Sequence, residues 1–180
     1  MAFDIACPRG LDEALGYLER QEQGARLLAG GTDVMVGMRH GKFSPELLID
    51  LTGIEDLAGI GSSDQFEGGL FIGALTKISD VEHAPELVGG WQVLASAAGT
   101  LASVQIRNLA TLGGNICNAA PSADTATSLL VLDAVAEIAG SDGRSFVPLD
   151  EFFTGPGETV VGTRQILKGF HLPPQTEKTA

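Results

Sequence analysis

Two pairs of adjacent glycines constrain the fold of this 180-residue chain more than any other feature. Gly30-Gly31 follows a short apolar run, and Gly113-Gly114 lies in a polar stretch ahead of a second apolar segment. Glycine has no Cβ, so its backbone adopts left-handed conformations and approaches other atoms closely. Each pair is therefore either a tight connection between two elements or a loop whose amides approach an anion.

The first 50 residues carry the pattern of a small βαβ unit. Leu11, Ala14, Leu15 and Leu18 recur at helical spacing, which predicts an amphipathic helix over residues 10–22. Apolar runs predict strands over residues 25–29 and 47–50, and a short helix is predicted over residues 34–39. The residues before that helix also favour an earlier start, at Thr32 or Asp33. The first glycine pair then lies between a strand and a helix, where backbone amides bind phosphate.

The remainder of the sequence predicts mixed helices and antiparallel strands. We expect strands over residues 70–74 and 166–172, a helical turn over residues 78–81 and a helix over residues 91–101. Residues 134–139 and 145–148 flank Gly140-Ser141-Asp142-Gly143, which is typical of a tight hairpin. The fold class predicted is α+β with two lobes: a small N-terminal βαβ lobe, and a larger lobe of helices and an antiparallel sheet.

Composition excludes several classes of function. The formal net charge is -12, which disfavours a nucleic-acid partner. Cys7 and Cys117 match no paired metal-ligand spacing, so we expect no metal in this chain. No apolar run approaches the roughly 20 residues that span a bilayer. The first ten residues lack the pattern of a secretory signal, so a soluble, cytoplasmic protein is expected.

Polar residues around the second glycine pair suit either a structural role in turns and helix caps or a role in binding a ligand. Residues 110–124 are polar and rich in glycine and precede an apolar helix predicted over residues 125–132. Asp124 or Ser122 is expected to cap that helix, and Asn115 and Asn118 suit turns closed by their side chains. The same polar groups also suit hydrogen bonds to a ligand.

The two glycine loops together favour a dinucleotide over a simpler ligand. A dinucleotide carries a pyrophosphate and polyol arms, which need several close approaches of backbone. An NAD-binding doubly wound sheet would require the spacing GxGxxG between its first strand and helix. Gly30-Gly31-Thr32 lacks that spacing, so the pattern disfavours an NAD-dependent dehydrogenase of that fold.

Longer segments of the sequence resemble a known family. LLAGGTDVMVGMR and, about 65 residues later, QIRNLATLGGNICNAAPSADTATSLLVLDA resemble the FAD-binding domain of molybdopterin-dependent dehydrogenases of the xanthine dehydrogenase and carbon monoxide dehydrogenase type. The resemblance runs from FDIACPRGLDEAL near the start to ILKGFHLP near the end. It implies the two-lobed FAD-binding fold of the PCMH type, with FAD held non-covalently and extended between the lobes.

The resemblance also implies which residues contact FAD, and none is catalytic. The first loop would wrap the pyrophosphate and ribityl with the amides of Gly30, Gly31 and Thr32, and the second would clamp the pyrophosphate from the other lobe. Leu101 would pack on the cofactor and Leu167 near the adenine or its ribose, although both also suit a plain core. The implied contacts are Leu27, Leu28, Ala29, Gly30, Gly31, Thr32, Asp33, Val34, Leu101, Thr111, Gly113, Gly114, Asn115, Asp124 and Leu167.

Three features stand apart from that set. Arg107 is either a phosphate or flavin partner or half of a structural ion pair, and we favour the ion pair. Cys117 replaces a small residue of many relatives, and we expect a buried, inert thiol. Relatives usually continue into a further domain of roughly a hundred residues, which we expect this chain to lack. They also place beyond the last strand a lysine that contacts the cofactor, so we expect FAD affinity to be lower here.

The implied function is that of an oxidoreductase flavoprotein subunit. A molybdenum centre on one partner subunit would oxidise the substrate, [2Fe-2S] clusters on another would relay electrons, and the FAD here would pass them to an acceptor such as NAD. The alternative is a scaffold that has lost or weakened FAD binding. The expected organisation is an N-terminal FAD-binding lobe at residues 1–55, a second lobe at 56–173 and a flexible tail at 174–180.

Overall fold

The computed structural model describes residues 3–20 and 24–175, and the first part of the chain forms a parallel sheet. Its neighbouring strands run in the order β1, β3, β2, and each pairing is parallel. Parallel neighbours need crossover connections, which two helices supply. The elements are β1 (Asp4–Ala6), α1 (Leu11–Arg20), β2 (Ala25–Leu28), α2 (Val34–Arg39) and β3 (Leu47–Asp50).

The predicted βαβ unit is present and carries one strand more than the sequence indicated. β1 has only three residues, which is too short for a period to show. Strand β3 and helix α2 have the predicted bounds. The expectation that this helix begins at Thr32 or Asp33 is wrong, since Asp33 is the residue before the helix and its side chain makes no capping hydrogen bond. Residues 21 and 22 of the first predicted helix lie outside the described residues.

The second part of the chain forms a five-stranded antiparallel sheet covered by helices. The strand order is β4, β5, β10, β6, β7, and each adjacent pair is antiparallel. The elements are β4 (Ile60–Ser62), β5 (Leu70–Gly73), α3 (Ile78–Glu82), α4 (Gln92–Thr100), α5 (Val104–Arg107), α6 (Leu112–Asn118), α7 (Asp124–Val131), β6 (Val135–Gly140), β7 (Gly143–Pro148), β8 (Phe153–Gly155), β9 (Glu158–Thr159) and β10 (Ile166–Leu172). The predicted α+β class is confirmed.

The predicted hairpin joins β6 to β7. Gly140 pairs with Gly143, so Ser141 and Asp142 form a two-residue turn. Gly143 has a φ of +115°, a conformation that side chains with a Cβ rarely adopt. The turn therefore depends on the glycine that the sequence places there.

Each lobe has an apolar core, and the smaller of the two cores includes residues of both lobes. The larger one lies between the five-stranded sheet and helices α3, α4, α6 and α7, and includes the fully buried Phe152 and Phe170. The smaller one lies around α1 and the parallel sheet. Leu75, Ala139 and Ile166 of the second lobe are also members of the smaller core. The two lobes thus share apolar packing, and burial of such side chains contributes about 1.5–3 kcal/mol each.

A buried carboxylate lies within the antiparallel sheet. Glu137 on β6 is fully buried, and its oxygens lie 3.0 Å from Lys168 Nζ, 3.2 Å from Arg144 Nη1 and 3.1 Å from His171 Nε2. His171 Nδ1 lies 2.9 Å from Ser63 Oγ. Both contacts of the imidazole are hydrogen bonds when Nε2 carries the proton and Ser63 donates to Nδ1. The cluster ties β6, β7 and β10 to the segment before β5.

The boundaries of the predicted lobes remain predictions. The chain passes from the parallel to the antiparallel sheet between Asp50 and Ile60, through two turns of 3₁₀ helix. Of the predicted tail, residues 176–180 lie outside the described residues.

Candidate functional site

The first glycine loop contains backbone amides that have no hydrogen-bond partner among the described residues. Residues 29–33 connect β2 to α2. Among the described residues, none accepts a hydrogen bond from the amides of Gly30, Gly31, Thr32 or Asp33. Gly31 has a φ of +73°, and a left-handed residue within a run of free amides is a feature of backbone concavities that bind anions. The loop therefore offers donors to a ligand.

Gly30 is also the point where the first loop meets the second lobe. A Cβ built on Gly30 would overlap the carbonyl oxygen of Leu109 and lie 2.9 Å from the Cα of Ala110. Real Cβ atoms essentially never come that close to backbone. The absence of a side chain at Gly30 thus permits contact between the lobes. This contact requires glycine at position 30 whether or not a ligand is bound.

The second glycine pair lies in a helix, where the sequence indicated a loop. Gly113 and Gly114 belong to the first turn of α6, and Thr111 is the N-cap. The hydroxyl of Thr111 accepts from Gly114 N at 3.1 Å. Gly113 N donates to Ala74 O at 2.8 Å and Leu112 N donates to Thr76 O at 2.9 Å. These three amides already have acceptors within the chain, so side chains are the groups that can bind a ligand here.

Asn115 and Thr125 connect the second glycine segment to helix α7. The hydroxyl of Thr125 donates to the side-chain oxygen of Asn115. Asp124 is the first residue of α7 and is exposed, while the N-cap is Ala123. The prediction that Asp124 or Ser122 caps this helix is therefore wrong. The carboxylate of Asp124 stays available to accept hydrogen bonds from a ligand.

The two predicted leucine contacts differ in exposure. Leu101 follows α4 as its C-cap and is half-buried against the larger core. Leu167 on β10 is 5% exposed and belongs to that core. Leu101 has exposed side-chain surface that a ligand could contact, whereas the surface of Leu167 is almost entirely covered by the core. A role for either in binding FAD stays a prediction.

Arg107 forms the structural ion pair that the sequence analysis favoured. Its Nε donates to Glu82 Oε2 at 2.8 Å, and its Nη1 donates to Leu101 O at 3.1 Å. Glu82 is 25 residues away in sequence, and no periodicity or motif connects the two. Sequence reasoning missed Glu82 for that reason.

Cys117 departs from the prediction of a buried thiol. The residue lies near the end of α6 and is exposed, as is Cys7. Desolvation of the sulfur by surrounding protein nevertheless raises the pKa of the Cys117 thiol to about 12. The thiol therefore stays protonated at neutral pH, as an inert thiol does.

A separate cleft of about 620 Å³ lies beside the site. Its lining includes Thr76, Ser79, Asp80, His83 and Asn108. None of the predicted FAD contacts lines it. Within the described residues there is no group of three or more His, Cys, Asp or Glu side chains placed to hold a metal. No helix in the described part of the chain is long and apolar enough to cross a membrane.

The geometry fits an extended anionic ligand at the junction of the lobes. The fold brings Gly30 against Leu109 and Ala110, directly ahead of Thr111 and α6, and a Cβ on Gly114 would lie 3.9 Å from the Cβ of Ala29. The free amides of residues 30–33 are donors, and the second lobe adds the hydroxyl of Thr111 and the exposed carboxylate of Asp124, which together suit a pyrophosphate and a polyol. FAD has both groups.

Comparison with known proteins identifies the family. The sequence model described as "FAD binding domain in molybdopterin dehydrogenase" matches residues 1–175. The chain belongs to this family. The predicted recognition is thereby confirmed, and with it FAD as the cofactor of the family.

The relatives of this FAD-binding domain are subunits of dehydrogenases. It is 40% identical to a putative xanthine dehydrogenase FAD-binding subunit of Escherichia coli strain K12 over 94% of this chain and 57% of the relative. It is 32% identical to the carbon monoxide dehydrogenase medium chain of Hydrogenophaga pseudoflava over 95% of this chain and 58% of the relative. The chain thus spans a little over half the length of these relatives.

Solved structures share the fold. A carbon monoxide dehydrogenase from Hydrogenophaga pseudoflava, which lacks the Mo-pyranopterin moiety, superposes with a TM-score of 0.93 at 30% identity, covering 98% of this chain and 61% of that one. Quinoline 2-oxidoreductase from Pseudomonas putida 86 gives a TM-score of 0.92 at 26% identity, covering 98% and 60%.

Proposed function

We propose that this chain binds FAD non-covalently at the junction of its lobes and serves as the electron-transferring flavoprotein part of a molybdenum hydroxylase. The run of unpartnered amides at residues 30–33 is the observation that carries the proposal. A pyrophosphate would accept from these amides, which otherwise have no partner among the described residues. The remaining contacts proposed in the first loop are those of residues 27–29 and Val34.

The second lobe would hold the cofactor with side chains. The hydroxyl of Thr111 accepts from Gly114 N and can donate its own proton to a phosphate oxygen. Asn115 uses its side-chain oxygen for Thr125, so its NH₂ group is the part that can donate. Gly114 lies on the side of α6 that faces the first loop, where a Cβ would lie 3.9 Å from the Cβ of Ala29, so the missing side chain leaves room there for a ligand. Gly113 instead packs against Ala74, and its contribution is to the placement of the helix.

Asp124 and Leu101 would supply an acceptor and an apolar contact. Asp124 is exposed at the start of α7, where its carboxylate can accept from a ribose or ribityl hydroxyl. Leu101 is half-buried beside the same lobe and can cover part of a ring. Leu167 would contribute only through the 5% of its surface that the core leaves exposed.

FAD supplies the capacity to exchange two electrons with one partner and one electron with another. The protein binds and orients it. We propose that electrons arrive from iron-sulfur clusters on a partner subunit, which take them from a molybdopterin subunit, and leave to an external acceptor such as NAD. The relatives named as dehydrogenase subunits support this assignment, and such a complex is proposed to lie in the cytoplasm.

Titration of the purified chain with FAD tests the proposal. Flavin absorption at about 350–500 nm that stays with the protein after gel filtration would report binding, and release of intact FAD by acid would show that attachment is non-covalent. Asp124→Asn should weaken binding about tenfold, because a charge-assisted hydrogen bond becomes a neutral one. Asp142→Asn, the same change at an exposed turn of the hairpin, should bind FAD like the wild type.

The alternative of a scaffold that has lost FAD makes the opposite prediction. A folded chain that fails to bind FAD at millimolar concentration would refute the proposed function for this chain. Equal weakening by Asp124→Asn and Asp142→Asn would instead show that net charge, rather than a specific acceptor, decides affinity.

A further inference from the structure

Arg107 connects two places that the proposed function puts against FAD. Its guanidinium binds the carbonyl of Leu101, six residues earlier, and Arg107 itself ends helix α5. Three residues later the chain reaches Ala110, against which Gly30 of the first loop packs, and then Thr111. One side chain thus spans the segment between two proposed contacts, Leu101 and Thr111.

The backbone inside this segment is strained. Ala102, directly after Leu101, has a φ of +45°, a left-handed conformation that is unfavourable for a residue with a Cβ. Such a residue persists only where surrounding contacts hold it. The hydrogen bond from Arg107 to Leu101 O acts on the peptide that joins Leu101 to Ala102, so it holds the strained turn in place.

Glu82 holds the guanidinium from the other side. The carboxylate at the end of α3 accepts from Nε at 2.8 Å and lies 3.5 Å from Nη2. Its Oε1 would lie 3.3 Å from a Cβ at Gly99, so the glycine in α4 leaves room for it. Arg107 is therefore clamped among α3, α4 and α5, and it is only 12% exposed.

We infer that Arg107 is a positioning residue for the flavin site. Supported by Glu82, it sets the conformation of residues 101–107 and thereby the placement of Leu101 relative to Thr111. It acts through the backbone and needs no contact with the cofactor. The inference rests on the proposed function and assigns to this ion pair a part in binding as well as in stability.

The test replaces the fork of the guanidinium by a single ammonium. Arg107→Lys keeps the charge, but a lysine cannot bond the Glu82 carboxylate and Leu101 O in the same planar geometry. We expect FAD affinity to fall about tenfold and the visible circular dichroism of bound FAD to change, measured where both proteins are fully folded. Arg144→Lys is the matched control, because Arg144 also pairs with a glutamate, the buried Glu137, but within the antiparallel sheet. It should leave affinity and spectrum unchanged.

Two further measurements keep the outcomes distinct. Glu82→Gln should weaken FAD binding less than Arg107→Lys, and both should speed amide exchange of residues 101–110 in the chain without FAD. A wild type that binds FAD, with an Arg107→Lys variant that has the same affinity and spectrum, would overturn the inference and leave the proposed function standing. A wild type that binds no FAD would overturn both.

Discussion

The backbone of Gly30 lies against the carbonyl of Leu109, and this contact joins the two lobes at the proposed cofactor site. A Cβ on Gly30 would lie 2.7 Å from the carbonyl carbon of Leu109 as well as overlapping its oxygen. Just beyond this contact, the amides of residues 30–33 have no acceptor in the part of the chain that the structure describes. The same glycine therefore permits the packing between lobes and begins the loop proposed to bind the pyrophosphate.

Gly30→Ala should destabilise the fold. The atoms that a Cβ would meet belong to backbone, which cannot turn aside as a flexible side chain can. We expect a loss of about 1–3 kcal/mol in the free energy of unfolding, the usual cost of overpacking. Urea denaturation followed by circular dichroism measures it.

Gly16→Ala is the matched control for that substitution. Gly16 lies inside α1, and a Cβ there would have only Arg20 Nη2 near it, at 3.8 Å. Alanine in a helix interior is favoured over glycine by about 0.5–1 kcal/mol, so this variant should be more stable than the wild type. If both variants shift stability in the same direction, the contact with Leu109 does not decide the role of Gly30.

Thr111→Val should uncap helix α6. Valine keeps the size and the branching of threonine but has no hydroxyl to accept from Gly114 N. Loss of an N-cap costs about 0.5–2 kcal/mol, whereas Thr111→Ser should cost much less. Under the proposed function the valine variant also binds FAD more weakly than the serine variant, which titration of both would show. Equal stability of the two would contradict the capping role.

Local patterns in the sequence predicted the elements whose register depends on their own residues. Helix α2, strand β3 and the hairpin at Gly140 and Gly143 follow from apolar period and turn chemistry, and they appear where expected. Helix α2 spans residues 34–39 as expected, whereas the earlier start at Thr32 or Asp33 was wrong.

Sequence patterns did not predict the features that depend on contacts between distant parts of the chain. Gly113 and Gly114 read as a loop because glycine costs about 1 kcal/mol in a helix. They are helical since Thr111 caps the helix and Gly113 packs against Ala74, about 40 residues earlier. The partner of Arg107 and the exposure of Cys117 were likewise decided by tertiary packing, to which no local pattern points.

Glu137→Gln should destabilise the antiparallel sheet strongly. The substitution keeps the shape but removes the negative charge that faces Lys168, Arg144 and His171. Breaking a buried ion pair on one side costs about 3 kcal/mol, because the remaining charge stays partly desolvated. Glu151→Gln, at an exposed carboxylate, should change the free energy of unfolding by less than about 0.5 kcal/mol.

Removing the charges of both Glu137 and Lys168 separates the contribution of charge pairing from that of packing and hydrogen bonds in this cluster. Lys168→Met in the Glu137→Gln background should recover part of the lost stability, since no buried ammonium then lacks its carboxylate. If the double variant is less stable than the sum of the single changes predicts, the cluster contributes packing or hydrogen bonds beyond the charge pair.

Cys117 should react slowly with an alkylating reagent although the residue is exposed. The thiolate is the nucleophile, and a thiol whose pKa is raised to about 12 holds only about one part in ten thousand as thiolate at pH 8. Because the thiol loses its proton only as the pH rises toward the pKa, the rate should increase about tenfold per pH unit between pH 8 and about pH 11. Mass spectrometry of iodoacetamide-treated protein measures labelling of Cys117 against the exposed Cys7 in the same chain. In urea, where the local desolvation is lost, the two cysteines should react at similar rates. Similar rates in the folded protein at pH 8 would show that the sulfur of Cys117 is hydrated, and that it is available for modification next to the proposed flavin site.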